Sequence, residues 1–212
     1  MPNYRRAHGP GGTFFFTVVT WNRRPLFAEE KARALLRTAI ETTRERRPFT
    51  IDAVCLLPDH LHAIWTLPDG DRDFSTRWAQ IKGRFSHDWL AWVRSGDGGA
   101  SPARQSGEST GRAGLAPPNK VQAAHAAGSA HVFSRPAKGE VKVWQKRFWE
   151  HQIRDDEDFR RHVEYIHYNP VKHGHATRPA EWPWSSFHRH VAEGKYDEAW
   201  GATEPTDLRG HE

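Results

Sequence analysis

Between Ser95 and Gly139 the chain passes through a segment in which 28 of 45 residues are Gly, Ala, Ser or Pro and the only aromatic is Phe133. Such a composition buries too little apolar surface to offset the entropy of ordering it. It reads as a flexible insertion, and it confines the packed part of the protein to the residues on either side. The C-terminal remainder is poor in aliphatic residues and too thin to fold alone, so one interrupted domain is expected, with two separate domains as the alternative. The expected division is a domain over 1–94 and 140–180, the insertion at 95–139, and a tail at 181–212 that packs back on the domain.

Periodicity supplies the elements. Thr13–Trp21, aromatic and β-branched, predicts a strand entered through Gly11-Gly12. Glu29–Arg47 places Ala32, Leu35, Leu36, Ala39 and Ile40 at helical spacing before Pro48. Phe49–Leu57 and His60–Leu67 predict two strands joined at Pro58-Asp59, and Phe74–Val93 a helix with Trp78, Ile81, Phe85, Trp89 and Trp92 on one side. Val141–Ile153 reads as a bent strand. Asp155–Tyr168 reads as a helix whose acidic start suits the positive end of its dipole and which Pro170 and Gly174 end. The order β-α-β-β-α-β-α predicts an α+β fold: a ferredoxin-like antiparallel sheet with helices on one face, followed by a short aromatic tail holding one helix.

Charge narrows the partner. Residues 1–50 carry ten Lys and Arg against four Asp and Glu, while the whole chain is only +5. A basic N-terminal quarter on a near-neutral body points to a polyanion. Ten tryptophans and eleven phenylalanines offer stacking surfaces, although most are expected in the core. No run approaches the roughly 18 apolar residues of a membrane span. No apolar region follows Arg5 and Arg6, so no secretion signal is expected, and one cysteine, Cys55, excludes an internal disulfide. A reducing cytoplasm is the expected compartment.

His60-Leu61-His62 is the first chemical candidate. On a strand, residues i and i+2 face the same way roughly 7 Å apart, so both imidazoles can converge on one ion while Leu61 points to the other side. The spacing alone is weak, because His173/His175 and His188/His190 repeat it in polar surroundings that read as solvated surface. Two satisfied histidines on a strand face remain an equal reading. On the last predicted helix, Phe159, Val163 and Ile166 form the apolar stripe. Tyr165 lies about 120° from Phe159, off the core, with Asn169 one turn further along the same flank. Arg161 and His162 precede Tyr165 by one turn, and Tyr168 points nearly opposite Phe159, toward solvent. A tyrosine so placed reads as an ordinary edge residue unless something nearby gives it a task.

Several stretches, taken in order, carry a resemblance. They are Tyr4-Arg5-Arg6, then Leu57 to Trp65 (LPDHLHAIW), then Trp144 to His151 (WQKRFWEH), then Tyr165 to Gly174 (YIHYNPVKHG), and finally Trp182 to His188 (WPWSSFH). In these the chain resembles the REP-associated tyrosine transposases, a bacterial branch of the HUH single-tyrosine transposases, where HUH denotes His, hydrophobic residue, His. The similarity covers about residues 5–94 and 140–200, and the insertion departs from it.

The resemblance implies that His60 and His62 ligate Mg²⁺ or Mn²⁺, with Asn169 as third ligand and Tyr165 as nucleophile. A free phenol, with a pKa near 10, needs such help at neutral pH. Imidazole with an amide oxygen is somewhat soft for Mg²⁺, so Mn²⁺ is expected to serve at least as well. The implied reaction exchanges one phosphodiester for another through a 5′-phosphotyrosine, with no nucleotide cofactor. No Gly-x-x-x-x-Gly-Lys loop is present, in agreement. The implied partner is single-stranded DNA bearing palindromic-repeat hairpins, with no membrane, and the implied state is a monomer working at the nucleoid in the cytoplasm, a dimer being the alternative. Tyr4, Arg5 and Arg6 are candidate readers of a short tetranucleotide beside the hairpin. Arg23, Arg24, Lys82, Arg84, Lys146, Arg147 and Lys172 are candidate phosphate contacts. Two competing readings are a hairpin-binding protein without catalysis and an unrelated metal-dependent hydrolase.

Overall fold

The computed structural model describes residues 12–96 and 142–201. Of these, 12–86 with 142–201 form one compact unit, while 87–96 belong to a second and comprise the last turns of a helix. The elements are β1 (Gly12–Val19), α1 (Glu30–Arg46), β2 (Thr50–Leu56), β3 (His60–Leu67), α2 (Phe74–Ser95), β4 (Trp149–Gln152), α3 (Asp156–Lys172) and α4 (Phe187–Ala192). All strand pairs are antiparallel, in the order β2-β3-β1-β4, which is the ferredoxin-like arrangement expected from the element order.

Register explains why both faces of this sheet need cover. Phe14, Phe16 and Val18 of β1 lie opposite Trp65, Ala63 and Leu61 of β3 and are buried on one side. There α2 stacks Trp78 on Trp65 with ring centroids 4.1 Å apart and sets Phe74 4.9 Å from Phe14. Leu36 and Ile40 of the first helix, α1, line a cavity together with Val54, Leu56 and Leu61. On the opposite side, Phe15, Ala53, Cys55, Leu57 and Ile64 pack with Val163, Tyr165 and Ile166 of α3 and with Trp182 from the tail. Helices therefore cover both faces, not one as the element order suggested, because Phe15, Ile64, Ala53, Cys55 and Leu57 form a second apolar patch on the side away from α1 and α2. Trp65 and Trp78 are both fully buried and stack nearly parallel, at 17°. Trp78→Ala is expected to cost about 3–5 kcal/mol, read as a lowered urea midpoint at unchanged slope.

The bent strand expected over Val141–Ile153 resolves into two short pieces, with Val141 itself outside the described residues. Trp21 N–H donates to Val143 O and Gln145 N–H to Val19 O, both at 2.9 Å, so 143–145 pair with the end of β1. Lys146–Phe148 then leave the ladder before β4 resumes at Trp149. The tail shields the outer edge of β2: Leu56 N–H donates to Trp184 O and Ser186 N–H to Val54 O, at 2.9 and 2.8 Å. That pairing removes one exposed sheet edge. Pro170 does not end α3, which continues to Lys172. A proline near the last turn forfeits only one intrahelical bond, and the stop comes at Gly174, whose φ of 69° suits a residue without a β-carbon. The regular helix thus carries through Asn169. No helix among the described residues is long and apolar enough to cross a membrane.

The start of α3 is fixed by one buried carboxylate. Asp155 caps the helix by accepting from Asp158 N–H, and Asp158 accepts from His151 Nε2 at 2.8 Å, Arg154 N–H at 3.0 Å and Arg154 Nε at 3.1 Å. Burial opposes the charge on Asp158, but Arg154 and His151 outweigh it and hold the pKa well below the ordinary 3.8. Asp158→Asn is expected to lower stability by about 2–3 kcal/mol at neutral pH. A depressed carboxylate stabilises the fold above its unfolded pKa and loses that effect as pH falls through the folded one. Urea midpoints of the two proteins are thus expected to begin converging as pH drops below about 4 and to meet only below the depressed pKa of the folded state.

Candidate active site

His60 and His62 enter together from β3, a central strand, and both are 3% exposed. Their ring centroids lie 4.9 Å apart, and Leu61 takes the opposite face as alternation requires. Each imidazole is fixed through Nδ1. His62 Nδ1 lies 2.9 Å from Thr17 Oγ1, its cross-strand partner, and His60 Nδ1 lies 2.5 Å from Asp59 Oδ1. With Nδ1–H donated in both cases, the two Nε2 atoms are the ones left for a ligand.

Asp59 is itself held from behind. Thr20 N–H and Thr20 Oγ1 both donate to Asp59 O at 2.9 Å, and Arg23 Nη1 reaches Oδ2 at 3.2 Å. Arg23 gets there through a tight turn in which it and Asn22 adopt positive φ, 49° and 54°. Half-burial raises the Asp59 pKa, but the hydrogen bond and charge of His60, then those of Arg23, bring it below the ordinary value. His62 titrates well below 6.5, chiefly through burial, with the charges of His60, His173, Lys172 and Arg23 adding. It therefore stands as a neutral imidazole.

Helix α3 crosses the pair. The Tyr165 ring lies 5.2 Å from that of His62, and the His173 ring lies 5.3 Å from that of His60. These two contacts bracket Asn169, one turn beyond Tyr165 and fully buried. Both atoms of the Asn169 carboxamide, like His62 Nε2, are buried with no hydrogen-bond partner among the described residues. Leaving a buried polar atom unsatisfied costs about 1–3 kcal/mol. Imidazole nitrogens and an amide oxygen are ligand types that fit a divalent cation, which would satisfy His62 Nε2 and Asn169 Oδ1 together.

The structure corrects the sequence on Tyr165, which is 5% exposed and belongs to the core cluster. Its flank of α3 is not an edge, because Phe15 stands 6.0 Å away on the sheet and Lys172 Nζ lies 5.3 Å over the ring. Tyr168 is half-buried against the tail, 6.5 Å from Trp200, not directed to open solvent. His173 is exposed yet borders His60, and His190 is buried with Nε2 3.0 Å from Asp52 O, so neither His-x-His pair in the C-terminal third is simply solvated.

The basic candidates separate by partner. Arg23 pairs with Asp59, Arg24 donates to Lys142 O at 2.5 Å, and Lys82 donates to Gln145 O at 2.8 Å, with burial pushing its pKa down to about 8. Arg84, Lys146, Arg147 and Lys172 are exposed. Tyr4, Arg5 and Arg6 lie outside the described residues. The sequence reading took Asp59 only as a turn residue within the LPDHLHAIW stretch and Thr17 only as part of a strand, and it gave neither a role at the site. The only signal for Asp59 was its place beside His60, and for Thr17 there was none.

A second set of ligand types exists. His151, Asp158 and His162 bring their ligand atoms within 4.8 Å of one another. There the Arg154 guanidinium already sits on Asp158 and repels a cation, whereas His62 and Asn169 leave atoms that no protein group satisfies.

A His-hydrophobic-His pair on a central strand, crossed by a helix that brings a tyrosine against it, is the arrangement expected of a single-tyrosine HUH nuclease. No family model matches the sequence. The REP-associated tyrosine transposase of Escherichia coli (strain K12) is 38% identical over 212 residues, all of this chain and 98% of that one. A putative REP-associated tyrosine transposase of Haemophilus influenzae is 34% identical over 210 residues, 99% of each chain. The solved structure of a REP-associated tyrosine transposase bound to a REP hairpin superposes with a TM-score of 0.68 at 37% identity, covering 97% of this chain and 96% of that one. The chain belongs to the REP-associated tyrosine transposase family.

Proposed function

We propose that the protein cleaves and rejoins single-stranded DNA beside palindromic-repeat hairpins through a covalent tyrosine intermediate. The observation that carries this reading is the pair of orphaned acceptors His62 Nε2 and Asn169 Oδ1, buried where the helix that carries Tyr165 meets β3. The hairpin comes from the relative of 37% identity whose structure contains one.

His60, His62 and Asn169 would hold a divalent cation, Mg²⁺ or Mn²⁺, which supplies charge stabilisation at the non-bridging oxygens of the scissile phosphate. The chain's own residues do the rest. Tyr165 presents its phenolic oxygen for attack on phosphorus. The new Tyr165 O–P bond forms as the P–O3′ bond breaks, and the proton lost by the phenol is matched by one gained at the departing 3′ oxygen. A second 3′-OH reverses these steps and displaces Tyr165, so neither step needs ATP. Thr17 and Asp59 keep the two imidazoles in the required tautomer, and Asp59 is kept in place by Thr20 and Arg23. Arg84, Lys146, Arg147 and Lys172 are the exposed cations suited to the phosphate backbone. Residues 1–94 with 140–180 form the nuclease domain in this reading, 95–139 an insertion, and 181–212 a tail. The protein acts as a monomer at the nucleoid.

The test is incubation of the protein with labelled hairpin DNA carrying a single-stranded flank, in Mn²⁺. A labelled protein adduct that survives boiling in detergent is expected. Release of a free 5′-phosphate with no adduct would instead identify a hydrolase that activates water, and salt-sensitive binding with neither product would identify a binding protein.

A further inference from the structure

Trp149 is the one large apolar side chain among the described residues that stands exposed, at 42%. Its position is set by register. Trp149 lies opposite Thr17, and Thr17 lies opposite His62, so the three occupy a single row across β4, β1 and β3 and face the same side of the sheet. Two strand spacings put the indole's backbone roughly 10 Å from that of His62. At about 3.4 Å per nucleotide along one strand of a duplex, and more in an extended strand, the separation matches no more than about three nucleotides.

The indole is also held in a fixed attitude. It lies nearly parallel to the His151 ring, 5.9 Å away at 6°, and His151 in turn lies parallel to His162, 4.7 Å away at 14°. Phe15 meets Trp149 edge-on at 5.4 Å. Asp158 holds both histidines, His151 through Nε2 at 2.8 Å and His162 through Nδ1 at 3.2 Å. The result is a pile of three aromatic rings that starts inside the protein and stops at the sheet edge with a partly bare indole. Exposed Lys146 and Arg147 come immediately before β4. A flat apolar face, ordered in advance, with two exposed cations shortly before it in the chain, is the surface on which an unpaired base stacks with little further loss of freedom.

We infer that Trp149 is a base platform: an unpaired base of the single-stranded flank, within about three nucleotides of the cleaved phosphate, continues the Trp149–His151–His162 pile. The inference rests on the DNA-cleavage reading above. It adds to that reading a specific binding residue and the part of the substrate it takes. Stacking on an indole accepts any base, so this contact positions the strand without reading its sequence.

The experiment is an affinity titration with three DNAs: the hairpin alone, the hairpin with its flank, and flanked hairpins carrying one abasic nucleotide at each flank position in turn. Trp149→Ala is expected to weaken binding of flanked DNA about tenfold and to leave the bare hairpin unchanged, while Trp149→Phe keeps most of the affinity. One abasic position is expected to weaken the wild type by the same factor and to weaken Trp149→Ala no further. Equal losses on flanked and bare hairpins, or no loss on either, would overturn the platform, as would abasic effects that persist fully in Trp149→Ala. The detergent-stable adduct is scored in parallel on the wild type. Adduct formation alongside a Trp149→Ala variant of normal affinity would sink the platform and spare the chemistry. Trp149-dependent flank binding with no adduct would keep the platform and sink the chemistry.

Discussion

Tyr165→Phe is expected to form no detectable covalent adduct with hairpin DNA, a loss of at least about a thousandfold, on the scale of removing a nucleophile. The substitution deletes one oxygen and keeps the ring that packs against Phe15, His62 and Lys172 at 6.0, 5.2 and 5.3 Å. Thermal unfolding should therefore stay close to that of the wild type, and DNA affinity should survive, which separates lost chemistry from lost structure. Tyr168→Phe is the paired control. Its ring lies by the tail, 6.5 Å from that of Trp200, and adduct yield is expected to be unchanged. Normal adduct formation by Tyr165→Phe together with loss in Tyr168→Phe would reassign the nucleophile.

Removing divalent metal with a chelator is expected to stop adduct formation, and adding back Mn²⁺ or Mg²⁺ to restore it. The residues behind the histidines make this prediction specific. Thr17→Val takes away the acceptor for His62 Nδ1, and Asp59→Asn removes the charge that orients His60. Losses in outer-shell partners of this kind run about 10–100-fold in metal affinity. Both variants are expected to need correspondingly more Mn²⁺ for half-maximal adduct formation, and to approach wild-type yield at saturating metal. A rate indifferent to chelation would remove the cation from the mechanism. Unchanged metal dependence in both variants would leave His60 and His62 without the supports described here.

How much of this was legible beforehand differs from residue to residue. The His60/His62 pair could be read from strand alternation, since a period of two sends both side chains one way in any sheet. The Tyr165/Asn169 relation could be read from helical spacing, and it survives because Pro170 leaves α3 intact through that turn. The burial of Tyr165 could not be read. Angular position on one helix says which residues share a flank, but not that Phe15 and Lys172 close over that flank. Helical cover on the second face of the sheet was equally hidden, because the row holding Phe15 and Ile64 also holds Thr17, His60 and His62, and alternation does not say which element lies over it. The breaking of the 141–153 strand into two pieces depends on where β1 ends, some 120 residues earlier.

Local chemistry in the sequence thus determined which residue types could perform phosphoryl transfer and which element carries each. Periodicities of 2.0 and 3.6 are properties of the backbone itself, and they hold wherever a segment lies. The tertiary structure alone decided that α3 crosses β3 so that Tyr165 meets His62, that Thr17 and Asp59 stand behind the imidazoles, and that Trp149 shares their row at the open edge. Apart from that of Asp59 with its neighbour His60, those are contacts between segments far apart in the chain. They follow from strand order and register, which are fixed only when the whole sheet closes its hydrogen bonds and both apolar faces are covered.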